Sequence, residues 1–428
     1  MAELEEDRME ICEWNHKRLS NREELPSDNF VEGDLRSTWT EVRDRFRDTA
    51  GGGELPTLLS ACPPCQGMST ARSGIGQGDD LESGKQDERN LLVKVIADIS
   101  DTLRPKAIVV ENVPTFLTRK VPHPKTGEGI SAARLLCRDL KGEYHPFPFL
   151  ADLADYGVPQ HRQRTFLTFL RKDLPVLDVL VELGLYPYPS PREKQITLAE
   201  FLKENQKDLP ELDAKHNPSG EDPMDQVPSW SDHQYRMAKR IEEPGESAWK
   251  NGCDNPDCDV DLVDEDRATC PKCDELLPRP IVDEEGKEPR LVKGFRRSSY
   301  RRMPLDRPAP TVTTASNRMG SNYNIHPKEN RLMTPRECAR LQMFPTDFQW
   351  RDPETGEHAI DRFGVNDVRA MIGEAVPPAF TEQHGEVLLS LLNGEVDERE
   401  LIAASDERCT KAMDTLGLSA GLFDAAGS

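Results

Sequence analysis

Residues 60–69 read S-A-C-P-P-C-Q-G-M-S, directly after the short apolar run L-P-T-L-L at residues 55–59. An apolar run that closes on Pro and Gly predicts a buried strand entering a sharp loop. That loop carries Cys62 and Cys65. A cysteine thiolate is a strong nucleophile, and the loop beyond a strand end is where an α/β sheet presents reactive groups. C-P-P-C is also a C-x-x-C, so half a metal site or a redox pair remain alternatives for the stretch alone.

Three later blocks supply partners for such a cysteine: E-N-V at Glu111, Q-H-R-Q-R at residues 160–164 and G-E-A-V-P-P at residues 373–378. Singly they are bland; E-N-V is a strand end with an acid on it. Together, and in this order, they resemble the DNA cytosine-5 methyltransferase family, over a span from about Met9 to about Leu389. In that family P-C-Q carries the nucleophile, E-N-V the acid, Q-x-R-x-R the support, and G-N-x-V-P-P closes the fold. The resemblance implies an α/β fold: a Rossmann-like S-adenosylmethionine-dependent methyltransferase domain with a smaller target-recognition domain. The expected boundaries are residues 1–173 for the catalytic domain and 174–345 for target recognition. Residues 346–395 return to the catalytic domain, and 396–428 form a tail without assignment.

The chain has 428 residues, enough for two or three domains, and 36% hydrophobic against 31% charged residues is low but still globular. No apolar run approaches the ~18 residues of a membrane span, and no signal peptide opens the chain. Its ten cysteines suit a reducing cytoplasm better than a disulfide framework, so a cytoplasmic location without membrane association is expected. The net charge of −22 opposes binding to phosphate. Two readings stay open: the acid lies on faces away from DNA, or the host is salt-loving and acidic surfaces keep its proteins soluble.

Residues 9–14, M-E-I-C-E-W, predict a short strand ending in an acid, and residues 15–24 a helix. Residues 30–35, F-V-E-G-D-L, predict a second strand ending at Asp34. An acid at the end of the second strand of a doubly wound sheet takes ribose hydroxyls. The resemblance assigns Glu13 to the ribose and Asp34 to the adenine edge of S-adenosylmethionine, with Pro63, Glu374 and Val376 also at the cofactor. The bland reading is surface acids at strand ends. Glu374 stands where the family usually has Asn and adds a charge there. The family's opening strand and F-x-G-x-G turn have no counterpart before Glu13, and Gly51, Gly52 and Gly53 look like a linker. A late start site, a truncated gene or a second polypeptide supplying the piece would each explain this. Each predicts a gap at the central strand, with exposed apolar surface and unpaired backbone.

Residues 69–84 are Gly-rich and polar, suiting a lid or an ordinary surface loop. Helices are expected at 37–48, 90–103, 130–140, 334–343, 365–372 and 380–392, and strands at 106–110 and 165–170. From about Leu174 periodicity weakens, as in the family's variable recognition region. There Cys253-x4-Cys258-x11-Cys270-x2-Cys273 has the form of a four-cysteine zinc ribbon, because four thiols among polar residues have no core to occupy. The alternative is free surface cysteines. Residues 293–302, K-G-F-R-R-S-S-Y-R-R, interleave aromatics with Arg296, Arg297, Arg301 and Arg302, a pattern suited to phosphate and groove contacts, or to a solvated hairpin face. Gln66 and Ser69, beside the nucleophile, are counted with the DNA contacts.

The implied chemistry starts from the poor nucleophilicity of cytosine C5. A Cys65 thiolate adding at C6 makes an enamine that can attack a methyl sulfonium. Cys62 is then structural. Glu111 meets N3 and the exocyclic amine, for which it must hold a proton near neutrality. Arg164, and with less support Arg162, orients the base or Glu111. The target nucleotide has to leave the stack. The expected partners are double-stranded DNA, restriction or defence proteins, and a chain supplying the missing motif. Competing readings are an incomplete DNA-binding subunit, an RNA cytosine-5 methyltransferase, and a zinc-ribbon binding module with a decayed catalytic domain. The long cysteine-bearing insert argues against the second, and intact Cys65, Glu111 and Arg164 against the third.

Overall fold

A computed structural model of the chain describes residues 2–19, 30–49, 55–63, 92–123, 126–205, 222–258, 260, 266–293 and 298–418. The strands are β1 (Ala2–Glu3), β2 (Val31–Glu32), β3 (Leu58–Ala61), β4 (Ala107–Asn112), β5 (Lys120–Pro122), β6 (Gly129–Ser131), β7 (Tyr144–Asp152), β8 (Gln163–Arg171), β9 (Leu185–Pro189), β10 (Ile281–Val282), β11 (Arg290–Leu291) and β12 (Leu401–Ala403). The helices are α1 (Glu6–Leu19), α2 (Leu35–Thr49), α3 (Leu92–Leu103), α4 (Ala132–Leu140), α5 (Pro175–Leu183), α6 (Leu198–Asn205), α7 (Asp232–Lys239), α8 (Pro335–Leu341), α9 (Ala359–Phe363), α10 (Val365–Glu374), α11 (Pro378–Leu392) and α12 (Glu407–Leu416). They fall into two compact units. The first comprises Met1–Leu153, Gln163–Arg192 and Phe380–Ser428, the second Ala154–Arg162 and Glu193–Ala379. None of the described helices is long and apolar enough to cross a membrane.

The first unit is built on a four-stranded sheet in the order β3-β4-β8-β7. β3 runs parallel to β4, which pairs antiparallel with β8, and β8 antiparallel with β7. The A-I-V-V run of β4 and the F-L-T-F-L run of β8 are buried because helices cover the sheet and leave no polar face. Val93 and Ile96 of α3, Leu135 and Leu136 of α4, Ile108 and Val110 of β4, and Leu167 and Phe169 of β8 form one cluster. Each such side chain contributes roughly 1.5–3 kcal/mol by leaving water.

Three expectations change here. Residues 9–14 are not a strand but lie inside α1, whose first turn carries Glu6 and Asp7, where acids favour the helix dipole. Alternation over six residues cannot separate the two periods, and the helix extends well past that window. The strand is instead β1, paired parallel with β2. Second, the run at 55–59 is not buried: Leu55 is 50% and Leu58 44% exposed. Among the described residues β3 pairs with β4 alone. Third, residues 396–428 include β12, which pairs with β9, and α12, whose Cys409, Ala412 and Leu416 are fully buried or nearly so. Ala412, Leu416 and Leu418 join the same core as Phe169.

The second unit has little sheet and is held by polar clamps. The T-P-x-E signal at residues 334–337 forms a capping box at the head of α8. Arg331 makes a two-bond pair with Glu337, at 2.7 and 2.8 Å, and reaches Glu329 at 2.6 Å. Burial pushes against the Glu337 charge, but the Arg331 guanidinium outweighs it and holds the carboxyl below its usual range.

Candidate active site

β3 and β4 run parallel, so their carboxyl ends, Ala61 and Asn112, lie at the same edge of the sheet. β8 is antiparallel and begins there. Two groups that the sequence separates by more than fifty residues therefore meet: Arg164 Nε lies 2.8 Å from Glu111 Oε1, with both side chains 13% exposed. Arg164 also donates to its neighbour's carbonyl, Gln163, at 2.8 Å. A half-screened pair of this kind is stronger than a surface ion pair and still reachable by a ligand.

Asn112, the middle residue of E-N-V, has a role the sequence did not suggest. It is buried, and its Nδ2 donates to the Pro63 carbonyl at 2.9 Å. Its Oδ1 accepts from the Val113 N–H at 2.9 Å. The amide thus ties the end of β4 to the segment that leads into P-C-Q. Cys62 is exposed and Pro63 half-buried. Cys65, Gln66, Ser69, the loop of residues 69–84 and the glycine run 51–53 lie outside the described residues, as do Arg296 and Arg297.

The acid expected at Glu13 sits exposed on α1 and ends no strand. The acid that does end β1 is Glu3, level with Glu32 in the parallel pair, with Asp34 two residues further. Its Oε1 accepts from the Leu4 and Glu5 N–H groups at 2.8 and 3.3 Å. Asp34 caps α2 and is held ionised by hydrogen bonds from Arg36, at 3.0 and 2.9 Å to the side-chain Nε. The signal for Glu3 was an acid immediately before a cluster of helix-starting acids, which reads as strand end then helix head.

In the second unit, Arg162 is fully buried. Its guanidinium donates to the carbonyls of Val312 at 3.1 Å, Gly373 at 2.9 Å and Ala375 at 2.8 Å. This corrects its expected catalytic place: it is a strut beneath G-E-A-V-P-P. Gln160 is a second strut, donating to Leu341 O at 2.8 Å and accepting from Val312 N at 2.9 Å. Glu374 is exposed at the end of α10, and Val376 follows it half-buried.

Arg302 is another correction. Only 4% exposed, it donates to Ile241 O at 2.7 Å, Ala238 O at 2.8 Å, His326 O at 2.9 Å and Glu329 O at 2.7 Å, and to Asn330. Burial pulls its pKa down to about 10. Its charge is spent inside the unit, not on DNA. Arg301 is half-buried, over the Tyr323 ring at 5.7 Å.

The four cysteines converge. The Sγ atoms of Cys253, Cys258, Cys270 and Cys273 all lie within 4.8 Å of one another. Cys253 and Cys273 are 3.6 Å apart and Cys258 and Cys270 3.7 Å, too far for S–S bonds. A tetrahedron of Zn–S bonds near 2.3 Å has sulfur edges of about 3.8 Å, so the spacing suits that ion. Backbone N–H groups of Cys273 and Lys272 aim at Cys270 and bring its thiol down to about 6.

A family model for C-5 cytosine-specific DNA methylases matches residues 13–390. The chain is 26% identical over 371 residues to the type II methyltransferase M1.HgaI of Avibacterium volantium, covering 83% of this chain and 84% of that protein. It is 25% identical over 377 residues to the type II methyltransferase M1.BsuMI of Bacillus subtilis, covering 86% and 70%. Among solved structures, a prophage-encoded DNA modification methyltransferase of E. coli superposes with a TM-score of 0.53 at 16% identity, over 92% of both chains, a likeness of fold.

Proposed function

The chain belongs to the C-5 cytosine-specific DNA methylase family, and from that premise we propose that it methylates C5 of a flipped-out cytosine in duplex DNA through a Cys65–C6 adduct, in restriction-modification or phage defence. Its class is DNA (cytosine-5-)-methyltransferase, EC 2.1.1.37. The observation that carries the reading is the Arg164–Glu111 pair at the sheet edge where Asn112 holds Pro63, two residues before Cys65.

Cys65 gives its sulfur electron pair to C6, and the ring electrons move to C5. Glu111 faces N3 and the exocyclic amine and gives its proton to N3 as negative charge builds there on sulfur addition, and Arg164 pairs with the carboxylate left behind. S-adenosylmethionine supplies an electrophilic methyl group. Loss of the C5 proton to a base then returns electrons to the ring and expels the Cys65 thiolate. Glu3 and Asp34, carboxylates at the ends of adjacent parallel strands, fit the hydroxyl and amine donors of the cofactor's nucleoside end. The four-cysteine cluster fits a structural Zn2+, since a closed sulfur site leaves no position for chemistry.

A second reading is a split enzyme, completed by a strand and glycine-rich turn from another polypeptide. Among the described residues β3 pairs with β4 alone, with Leu55 and Leu58 exposed, and the β1–β2 pair is separate from the main sheet; both favour it.

The test is methyl transfer by the purified chain from labelled S-adenosylmethionine to mixed-sequence DNA, with Cys65→Ser as control. Label in DNA that disappears in the variant supports the enzyme reading. Equal label with both proteins would refute Cys65 as the nucleophile. Label that appears only on adding a second polypeptide selects the split enzyme.

A further inference from the structure

We propose that the four-cysteine cluster, holding Zn2+, positions Arg301, the half-buried cation of the segment at residues 299–302, so that the metal sets DNA affinity from behind that side chain. This rests on the zinc reading above and adds a role to it.

The cluster cannot be a phosphate contact itself. Four thiolates around one divalent ion carry two net negative charges, and Asp254, Asp257, Asp266, Asp274 and Glu275 lie within or beside the loop that holds them. Nor can the loop hold itself by burial. Among the described residues its cluster contains the cysteines, Leu277 and Val260 and no other apolar side chain. A cross-link has to replace the missing core.

What the loop does have is a set of ties outward. Asp254, next to Cys253, takes both Nε and Nη2 of Arg236 on α7, at 2.7 and 2.5 Å. Arg236 also reaches Leu276 O at 3.3 Å, on the far side of the loop. Asn251 bridges Met237 O of α7 at 2.9 Å and Pro278 O at 2.7 Å. Fully buried Arg279 donates to Asn251 O at 2.7 Å and to Arg267 O at 3.2 Å, and its own carbonyl accepts from His233 at 2.7 Å. Both ends of the cysteine loop are thus fastened to one helix.

The same helix and the segment entering Cys253 hold the basic run. Trp249 Nε1 donates to Ser299 O at 3.1 Å and packs edge-on to Tyr300 at 5.5 Å. Ala248 N donates to Tyr300 O at 2.9 Å, Arg302 N to Glu246 O at 3.1 Å, and Arg301 Nη1 to Gly245 O at 2.9 Å. Arg302 closes the path by donating to Ala238 O and Ile241 O at the end of α7. Three residues separate Trp249 from Cys253, so the metal-held end of the loop has little slack over which to lose its register.

The full chain is stripped of metal under reducing conditions and titrated with cobalt(II), reading the thiolate charge-transfer band, then reloaded with Zn2+. Affinity for a labelled mixed-sequence duplex is read by anisotropy across salt, and hydrogen exchange reports each segment. One metal per chain is expected, lost in Cys270→Ser and kept in Cys258→His, which still offers four ligands. Metal loss should weaken DNA binding roughly tenfold or more and flatten the salt dependence, since each lost phosphate contact removes about 0.9 from the slope. Exchange protection should fall at residues 245–302 and hold in β4 and β8. Arg236→Leu keeps the four ligands but cuts a tie, so it should retain metal and still bind DNA more weakly. No metal bound by the unaltered chain would sink the zinc reading. Metal bound, with DNA affinity the same in the stripped protein and in Arg236→Leu, would sink the positioning role alone.

Discussion

Glu111 and Arg164 face each other because an antiparallel strand begins where a parallel one ends. Removing the guanidinium leaves a partly buried carboxylate without its partner. Arg164→Ala should lower kcat by about a hundredfold or more, within the range for a positioned proton-handling group, and Arg164→Lys should recover only part because it cannot hold the carboxylate through a planar fork. A single-turnover rate equal to the parent's in Arg164→Ala would show the pair to be ornamental. Gly373 is a different kind of requirement. A Cβ there would stand 2.4 Å from the Thr313 carbonyl carbon and 2.5 Å from Thr314 N, both backbone atoms. Gly373→Ala should cost about 1–3 kcal/mol in urea unfolding, and an unchanged midpoint would mean the two segments part freely. Glu111 and Arg164 were legible as motif residues in order. The burial of Arg162 and Arg302 was not, because a sequence does not say whether a guanidinium meets carbonyls or water. Glu3 was passed over because a strand of two residues has no period to read.

The strands that were read correctly, β4 and β8, have mostly apolar cores, A-I-V-V and F-L-T-F-L, because both their faces are covered, and their polar ends carry Glu111, Asn112 and Arg164. β7 escaped because Pro146 and Pro148 interrupt it, and proline argues against a central strand. Among the described residues it is an edge strand, paired only with β8, and two prolines two residues apart turn the same way, toward the side that needs no N–H donor. α12 escaped because its buried positions are few and small. α11 carries a titration. His384 is buried among Tyr188, Phe380 and Phe166, with Thr168 Oγ1 at 3.3 Å, and burial pulls its pKa down to about 3. The unfolded chain binds that proton near pH 6.5 and the folded chain does not. The stabilising term is therefore complete above about pH 6.5 and is lost as pH falls toward 3, by about 1.4 kcal/mol per pH unit. His384→Gln should remove that slope from the stability–pH curve measured by denaturant unfolding; a variant curve parallel to the parent's would refute the assignment.

For the whole molecule, the net charge of −22 understates the surface imbalance. Arg162, Arg279, Arg302, Arg331 and Arg369 are each 4% exposed or less, so five positive charges serve the interior. The remaining surface repels itself, and screening that repulsion should stabilise the fold. Thermal unfolding midpoints should rise with added sodium chloride between low salt and about 1 M, and a flat response would mean that the acids are already neutralised by local pairs.

The first unit is assembled from three stretches of chain, with nearly all of the second inserted before the last of them. On the ribosome the second unit has all its residues in hand by Ala379. The first must wait for Leu401–Ala403 to pair with β9 and for Cys409, Ala412 and Leu416 to fill its core. Domains fold as they emerge, and the one that closes late spends longest with its apolar surface uncovered. The half that holds Glu111 and Arg164 thus closes only after residues 401–416 have emerged, later than the unit inserted into it.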